Sequence, residues 1–314
     1  MSNFIFSINV TVPIFLVILL GYILRRINFL SEEFANMANK YVFSVALPVM
    51  LFKDISETNV REDMDVKFFF FCLIVTFVMF FGVWGLSGII LKDKTQVGAF
   101  AQAGARGSAA VLGVAFVENI CGDIGMTPLM IVAAVPFFNM LSVIILVFNS
   151  GREVKDYSKI KSACINIAKN PIIIGILLGV VSSLIEFDMP TIPSRTLGYI
   201  AQTATPIALI SVGAGFDTNK ALTRLKPALG ATFIKLIGLP AVFLPVAYHM
   251  GFFGSEMVAI LVMLASPTTV SAYVMAKSMD NDDVLTSNAI VLTTLLSSVT
   301  LTLWIFVLKS LGCI

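Results

Sequence analysis

Charged residues are scarce in this chain. Asp, Glu, Lys and Arg make up 13% of its 314 residues, whereas 58% are hydrophobic and the mean hydropathy is +0.94. Soluble domains are about a quarter charged, so the composition excludes a soluble globular protein. The formal net charge is only +2, and the basic residues form no stripe, so we expect no nucleic-acid partner. The partner that this composition predicts is the lipid bilayer.

Residues that bind metals or catalyse reactions are also few. Histidine occurs once and the four cysteines form no CxxC pair, which excludes a zinc site; these five residues are His249, Cys72, Cys121, Cys164 and Cys313. The sequence contains no H-E-x-x-H motif, no P-loop and no mid-span Ser/His/Asp set. We therefore expect no catalytic residue, no metal site and no cofactor, and we predict that the protein is not an enzyme.

Long uncharged stretches fill the rest of the chain, and each is close to the roughly 20 residues that cross a bilayer as a helix. We predict ten transmembrane helices, numbered here as spans 1 to 10, at 4–24, 34–56, 66–91, 95–118, 125–149, 160–187, 195–216, 227–249, 254–277 and 284–309. The first stretch lacks a basic leader and a cleavage site, so we expect it to be retained. The predicted fold class is an all-α polytopic membrane protein.

The distribution of Lys and Arg predicts the orientation of these spans. If the N-terminus lies outside, 14 of the 21 basic residues fall on the inner side and 5 on the outer side. The other two, Arg106 and Lys235, lie within spans. We therefore expect a multi-pass protein of the plasma membrane with both termini outside.

The chain contains an internal repeat at an offset of 158 residues. Pro13–Gly21 lies over Pro171–Gly179 with six of nine positions identical, and the same offset aligns Pro48 with Pro206. Five spans separate equivalent positions, so the two halves enter the membrane from opposite sides, as in many transporters. We predict a first five-helix repeat at 1–149, a cytoplasmic linker at 150–169 that overlaps the start of span 6, and a second, inverted repeat at 160–314.

Spans 4 and 9 contain residues that interrupt helices. Span 9 carries Ser266-Pro-Thr-Thr, and span 4 carries a run of small residues around Arg106; the offset relates Ser108 to Ser266. A broken helix offers free N–H groups and about half a positive charge at its new N-terminus, which suits a carboxylate. Small residues in membrane helices also mark close helix packing, and that alternative stays open.

The charges within the spans are basic. Burying Arg106 at the bilayer centre costs at least ~2.5 kcal/mol, so this residue must face protein, water or an anion. Lys235 lies about two turns from the inner end of span 8, and we expect its ammonium to reach that surface. Asp and Glu lie near span ends rather than at span centres. A basic centre predicts an anionic substrate and leaves the coupling ion, H⁺ or Na⁺, open.

Four segments together resemble the auxin efflux carrier family of permeases, in its bacterial branch of malate- and malonate-type transporters. These segments are Ala46–Phe52, Phe137–Val143, Thr205–Ala214 and Ser266–Thr269. The resemblance implies two inverted five-helix repeats, broken helices 4 and 9 that cross at mid-membrane beside the substrate, and a scaffold of spans 1, 2, 6 and 7 that forms a homodimer.

The family pattern in span 4 is Arg-x-Asn followed by Gly-x-Pro. This chain matches the pattern at Arg106 and Gly113, but Ser108 and Ala115 stand where Asn and Pro are usual.

We therefore predict a secondary active transporter of a small organic anion, such as a carboxylate, that works by alternating access. The predicted substrate-binding residues are Arg106, Gly107, Ser108, Gly113, Asn139, Ser266, Pro267, Thr268 and Thr269. A passive channel or a transporter-like sensor for the same ligands is the alternative. Concentrative uptake distinguishes a carrier from a channel, and binding without flux identifies a sensor.

Overall fold

The computed structural model describes residues 2–56, 65–122, 124–150, 165, 167–185, 187, 189–216 and 218–314. Within these ranges every regular element is a helix. Most of the predicted linker at 150–169 lies outside the described residues.

The helices of the N-terminal half are α1 (Ser2–Arg26), α2 (Glu32–Tyr41), α3 (Leu47–Ser56), α4 (Val66–Ile90), α5 (Val97–Ala105), α6 (Ala109–Cys121) and α7 (Thr127–Phe148). Those of the C-terminal half are α8 (Pro171–Leu184), α9 (Thr191–Gly215), α10 (Thr218–Thr223), α11 (Leu225–Phe233), α12 (Leu239–His249), α13 (Ser255–Ala265), α14 (Ser271–Ser278) and α15 (Asp283–Ser310).

Among the described residues, five helices are long and apolar enough to cross a membrane: α4, α7, α9, the continuous helix Leu225–His249 and α15. They coincide with predicted spans 3, 5, 7, 8 and 10. Their outward faces carry large apolar side chains such as Phe70, Tyr199, Val242 and Phe306. An extended apolar surface of this kind is what a bilayer covers.

Aspartate side chains cap the starts of several helices. The Asp65 carboxylate accepts from the Phe68 N–H (3.0 Å) at the start of α4, and the Asp282 carboxylate accepts from the Leu285 N–H (2.8 Å) at the start of α15. In the turn before α5, hydrogen bonds from Thr95 and then Gln96 hold the pKa of Asp93 below its usual range. These contacts satisfy N–H groups that have no partner inside the helix.

Two helices widen into π-turns, at Val42–Ala46 and Ile234–Gly238. Each π-turn is followed directly by a Leu-Pro pair. A proline has no N–H to donate, and its ring displaces the carbonyl four residues earlier. Because Pro240 cannot bond to the Leu236 carbonyl, the Trp304 indole donates to that carbonyl instead (3.0 Å). The widened turn between α11 and α12 contains Lys235.

The buried apolar side chains form two cores. The first is built from α4 to α7, α11 to α13 and α15. The second is built mainly from α1, α3, α8 and α9, which are spans 1, 2, 6 and 7, with α14 packed against it.

Glycines allow close approach between the halves within the second core. A Cβ on Gly21 would meet the Ile210 carbonyl oxygen at 2.5 Å, and one on Gly179 would meet the Phe52 carbonyl oxygen at 3.0 Å. Gly21 and Gly179 are 158 residues apart, as are Phe52 and Ile210. The two contacts therefore join equivalent pairs of positions across the halves.

Candidate functional site

Helical structure stops in the middle of both spans 4 and 9. Helix α5 ends at Ala105 and α6 begins at Ala109, while α13 ends at Ala265 and α14 begins at Ser271. The Ser108 N–H donates to the Pro267 carbonyl (2.9 Å), so the two non-helical segments bond to each other. We call these segments, 106–108 and 266–270, the crossing.

Proline and glycine explain why the crossing has this geometry. A residue before proline avoids the helical region, and Ser266 is extended with ψ 148°. Gly107 provides the space for close contact, because a Cβ there would collide with the Ser266 hydroxyl and lie 2.7 Å from the Lys235 ammonium. A larger residue at position 107 would require the Ser266 and Lys235 side chains to move.

Thr268 holds the crossing together. Its hydroxyl donates to the Ala103 carbonyl (2.8 Å), one of the last carbonyls of α5, and its N–H donates to the Thr293 hydroxyl (3.0 Å). The last four carbonyls of a helix have no partner within it, so this bond satisfies one of them. In this structure the Thr268 hydroxyl is thus engaged in the protein framework.

Arg106 is buried beside the crossing, with 4% of its surface exposed. Its guanidinium donates to the Asn139 side-chain oxygen (2.5 Å), the Ser271 hydroxyl (2.7 Å) and the Met275 sulfur (2.7 Å). Asn139 is turned toward it because the Asn139 amide nitrogen donates to the Val135 carbonyl (2.9 Å). These contacts orient the guanidinium but leave its charge unneutralised.

The electrostatics at Arg106 favour an anion. Among the described residues no carboxylate lies within 4.0 Å of its guanidinium. Ser271, to which it donates, is the first residue of α14. A helix N-terminus carries about half a positive charge, so it adds to the positive potential of Arg106. The guanidinium therefore lies beside the first turn of α14, and no carboxylate of the described residues neutralises it.

The other predicted site residues differ in their exposure. Ser108 and Thr269 are partly exposed at the crossing, and the Thr269 hydroxyl contacts the Ser271 hydroxyl (3.2 Å). Ser266 is fully buried, and its hydroxyl has no partner among the described residues. Gly113 lies in α6, within 110–115, whose side chains are outside the described residues.

Sequence reasoning missed three residues around Arg106: Gln102, Ser271 and Met275. Ser271 and Met275 contact the guanidinium, and the Gln102 amide nitrogen lies 3.6 Å from the Met275 sulfur. The Gln102 side-chain oxygen is buried without a described partner. Gln102 lies one helical turn before Arg106, and this spacing was a signal in the sequence. Ser271 and Met275 lie 165 and 169 residues after Arg106, so no local pattern could indicate their contacts with it.

The expectation that Lys235 reaches the inner surface was wrong. Lys235 is fully buried, and its ammonium donates to the carbonyls of Ala105 and Met263, both at 3.2 Å. These carbonyls lie at the C-terminal ends of α5 and α13, where helix dipoles are negative. The π-turn displaces Lys235 from a regular helical position, which hydropathy alone does not reveal.

Substituting Gly107 tests the tight contact at the crossing. We expect Gly107→Ala to lower stability by about 1–3 kcal/mol, because the added methyl must displace Ser266 and Lys235. Thermal unfolding of the detergent-purified protein measures this effect. Gly85→Ala is the matched control, because a Cβ there meets nothing within 4 Å. Equal unfolding temperatures for the two variants would contradict the close contact.

Several long apolar helices indicate a multi-pass membrane protein, and comparison with known proteins identifies the class as a membrane transporter. The membrane transport protein family matches residues 6–305. A Rhizobium meliloti protein named "Putative malonate transporter" is 26% identical over 308 residues, 96% of each chain. The "Uncharacterized transporter YfdV" of Escherichia coli is 28% identical over 312 residues, 96% of this chain and 98% of that protein.

The chain belongs to this membrane transport family, the auxin efflux carrier family, which confirms the resemblance. An "Uncharacterized transporter" of Methanothermobacter thermautotrophicus, 26% identical over 313 residues, covers 96% of this chain and 98% of that protein. These similar proteins are named as transporters and not as enzymes.

Proposed function

We propose that this protein is a secondary active transporter of a small organic anion that works by alternating access. The observation that carries the proposal is the buried Arg106 guanidinium beside the N-terminus of α14, with no described carboxylate within 4.0 Å. An anion entering this place would be attracted by both the guanidinium and the helix dipole.

The counter-charges at the crossing support an anion rather than a cation as substrate. The Lys235 ammonium faces two helix C-termini, each carrying about half a negative charge, which together balance one positive charge. Arg106 faces a helix N-terminus instead. The uncompensated charge in this region is therefore positive and belongs to Arg106.

We propose a carboxylate as the anion. A guanidinium can bind a carboxylate through two parallel hydrogen bonds, and the hydroxyls of Ser108 and Thr269 lie on the partly exposed side of the crossing. The name of the Rhizobium meliloti relative refers to malonate. A short dicarboxylate is therefore the first substrate to test, followed by monocarboxylates of similar length.

Ten spans in two inverted repeats form the architecture that we propose for alternating access. The positions of helix ends support it. Helices α1 and α8 end 158 residues apart, at Arg26 and Leu184, and α5 and α13 begin 158 residues apart, at Val97 and Ser255. The paired contacts of Gly21 and Gly179 at the same offset support it further. Broken spans 4 and 9 would then place the substrate between two bundles that rock against each other.

We further propose a homodimer in the plasma membrane with both termini outside. The basis for the orientation is the excess of Lys and Arg on one side of the predicted spans. The apolar side chains exposed on α1 and α8, such as Leu20 and Leu178, are available for a second copy or for lipid.

The orientation predicts where an impermeant thiol reagent reacts. With the native cysteines replaced, a cysteine at Lys155 should stay unlabelled in intact cells and become labelled after the membrane is opened. A cysteine at Glu186, on the opposite side in this topology, is the control and should be labelled from outside. Labelling of the Lys155→Cys variant in intact cells would reverse the assignment.

Uptake into proteoliposomes tests the proposed function. We expect concentrative, saturable uptake of radiolabelled malonate or a similar carboxylate, with competition by other short carboxylates and not by organic cations. Equilibration without concentration under an imposed H⁺ or Na⁺ gradient would indicate a passive channel. Ligand-induced thermal stabilisation without any flux would indicate a sensor.

A further inference from the structure

Lys235 occupies a position at the crossing that substrate binding does not explain. Its ammonium lies 3.2 Å from the Ala105 carbonyl oxygen and 3.2 Å from the Met263 carbonyl oxygen. These residues belong to α5 and α13, which come from the two halves of the chain. One side chain from span 8 thus binds the ends of both interrupted helices.

The surroundings of Lys235 provide partial negative charge but no formal one. The residue is fully buried, and no carboxylate of the described residues lies within 4.0 Å of its ammonium. Carbonyls at the two helix C-termini supply the acceptors instead. The Ser266 hydroxyl is also buried without a partner among the described residues, and a Cβ on Gly107 would contact both this hydroxyl and the Lys235 ammonium.

Carbonyls at the ends of broken helices, supplemented by hydroxyls, are the ligands that coordinate coupling cations in transporters with interrupted spans. Na⁺ requires oxygen ligands and no hydrogen-bond donors. Here the ammonium of Lys235 is bonded to such carbonyls, and the π-turn at Ile234–Gly238 positions its side chain. The Trp304 indole, bonded to the Leu236 carbonyl, stabilises that turn.

We propose that Lys235 is a tethered cation that takes the place of a bound metal cation at the crossing. It is a positioning residue, because it holds the C-terminal ends of α5 and α13 together and does not contact the site at Arg106 through any described bond. The role in a transport cycle rests on the proposed function. The role as a cation at the crossing stands on the contacts alone and is tested without transport.

Three substitutions separate charge, volume and hydrogen bonding. Lys235→Ala removes the ammonium and leaves space for a small cation. Lys235→Met removes the ammonium and fills that space with its own side chain. Lys235→Gln keeps an N–H donor but carries no charge. Lys226→Ala, at an exposed lysine of the same continuous helix, is the control. The measurement is the unfolding temperature of detergent-purified protein in choline chloride, NaCl or methylammonium chloride at one ionic strength.

We expect all three Lys235 variants to unfold several degrees below wild type in choline chloride, and Lys226→Ala to match wild type. Na⁺ or methylammonium should restore part of the loss in Lys235→Ala but not in Lys235→Met, whose side chain fills the space. A purely structural role predicts no cation-specific recovery, and that result would overturn the proposal.

Unfolding temperatures equal to wild type in Lys235→Met and Lys235→Gln would also overturn it. If Lys235→Ala does not fold, Lys235→Gly takes its place in the same cation comparison, and an unchanged unfolding temperature in Lys235→Gln contradicts the need for a positive charge. Because these readouts require no substrate, they remain valid if wild-type protein transports none of the carboxylates tested. That failure would count against the proposed function alone.

Discussion

Replacing Arg106 by lysine should abolish most carboxylate binding although the positive charge is kept. The guanidinium donates to the Asn139, Ser271 and Met275 side chains, and its planar fork can offer two parallel N–H groups to a carboxylate that displaces some of these partners. An ammonium on a shorter stem cannot reproduce this geometry. Losing one charge-assisted hydrogen bond costs about 1.5–3 kcal/mol, which corresponds to a roughly ten- to hundredfold increase in Kd.

Binding and uptake of the same carboxylate measure the effect of Arg106→Lys and Arg106→Gln. Arg25→Lys is the matched control, because Arg25 lies at the end of α1 and pairs with Glu32 (3.4 Å) in a partly exposed contact. Exposed ion pairs contribute little, so this control should bind and transport as wild type does. Normal transport by both Arg106 variants would show that Arg106 serves the framework and that the substrate binds elsewhere.

Replacing Pro267 by alanine should remove ligand-dependent stabilisation while leaving a folded protein. Alanine restores an N–H and no longer restricts Ser266, so α13 can extend past its present end at Ala265. That extension would withdraw the Pro267 carbonyl from the Ser108 N–H and move the start of α14 away from Arg106. The expected result is a normal gel-filtration profile with a ligand-induced thermal shift near zero.

The control for Pro267→Ala is Pro245→Ala, because Pro245 lies inside the uninterrupted helix α12. This control should keep its ligand-induced shift. A Ser108→Ala/Thr269→Ala double mutant should show a smaller effect, about 0.5–1.5 kcal/mol for each lost hydroxyl, since backbone donors remain. An unchanged thermal shift in both Pro267→Ala and the double mutant would remove the crossing as the substrate site.

Replacing Thr268 should affect stability, unlike replacing Ser108 or Thr269. Its hydroxyl donates to the Ala103 carbonyl, so Thr268→Ala leaves a buried carbonyl without its partner. We expect this substitution to lower the unfolding temperature even without ligand, whereas Ser108→Ala and Thr269→Ala should leave it nearly unchanged. Thermal unfolding without substrate distinguishes the two classes, and equal values for all three variants would contradict the bond to Ala103.

The sequence predicted the helical positions well because hydropathy depends on local composition. The predicted spans 3, 5, 8 and 10 differ from the observed helices by at most two residues at either end. The end of α13 at Ala265 has a local cause in the sequence, because Pro267 restricts the backbone of the residue before it. The end of α5 at Ala105 has no proline beside it, so small residues gave a weaker local signal there.

The contacts within the site were less predictable because they join distant residues. Lys235 was placed at the surface since a long side chain near a span end usually reaches water. Its burial depends on the π-turn before Leu239-Pro240 and on acceptors from two other helices. Met275 and Ser271 meet Arg106 only because α14 packs across span 4, which no local pattern encodes.

Counterflow in proteoliposomes tests the central claim most directly. Vesicles with wild-type protein are loaded with unlabelled malonate and diluted into radiolabelled malonate, beside vesicles with Arg106→Gln at equal protein content. We predict transient accumulation of label above equilibrium in the wild type, inhibited by other short carboxylates, and accumulation at the level of protein-free vesicles for Arg106→Gln. Equal accumulation by the two proteins across the carboxylate panel would contradict the claim that Arg106 binds the transported anion.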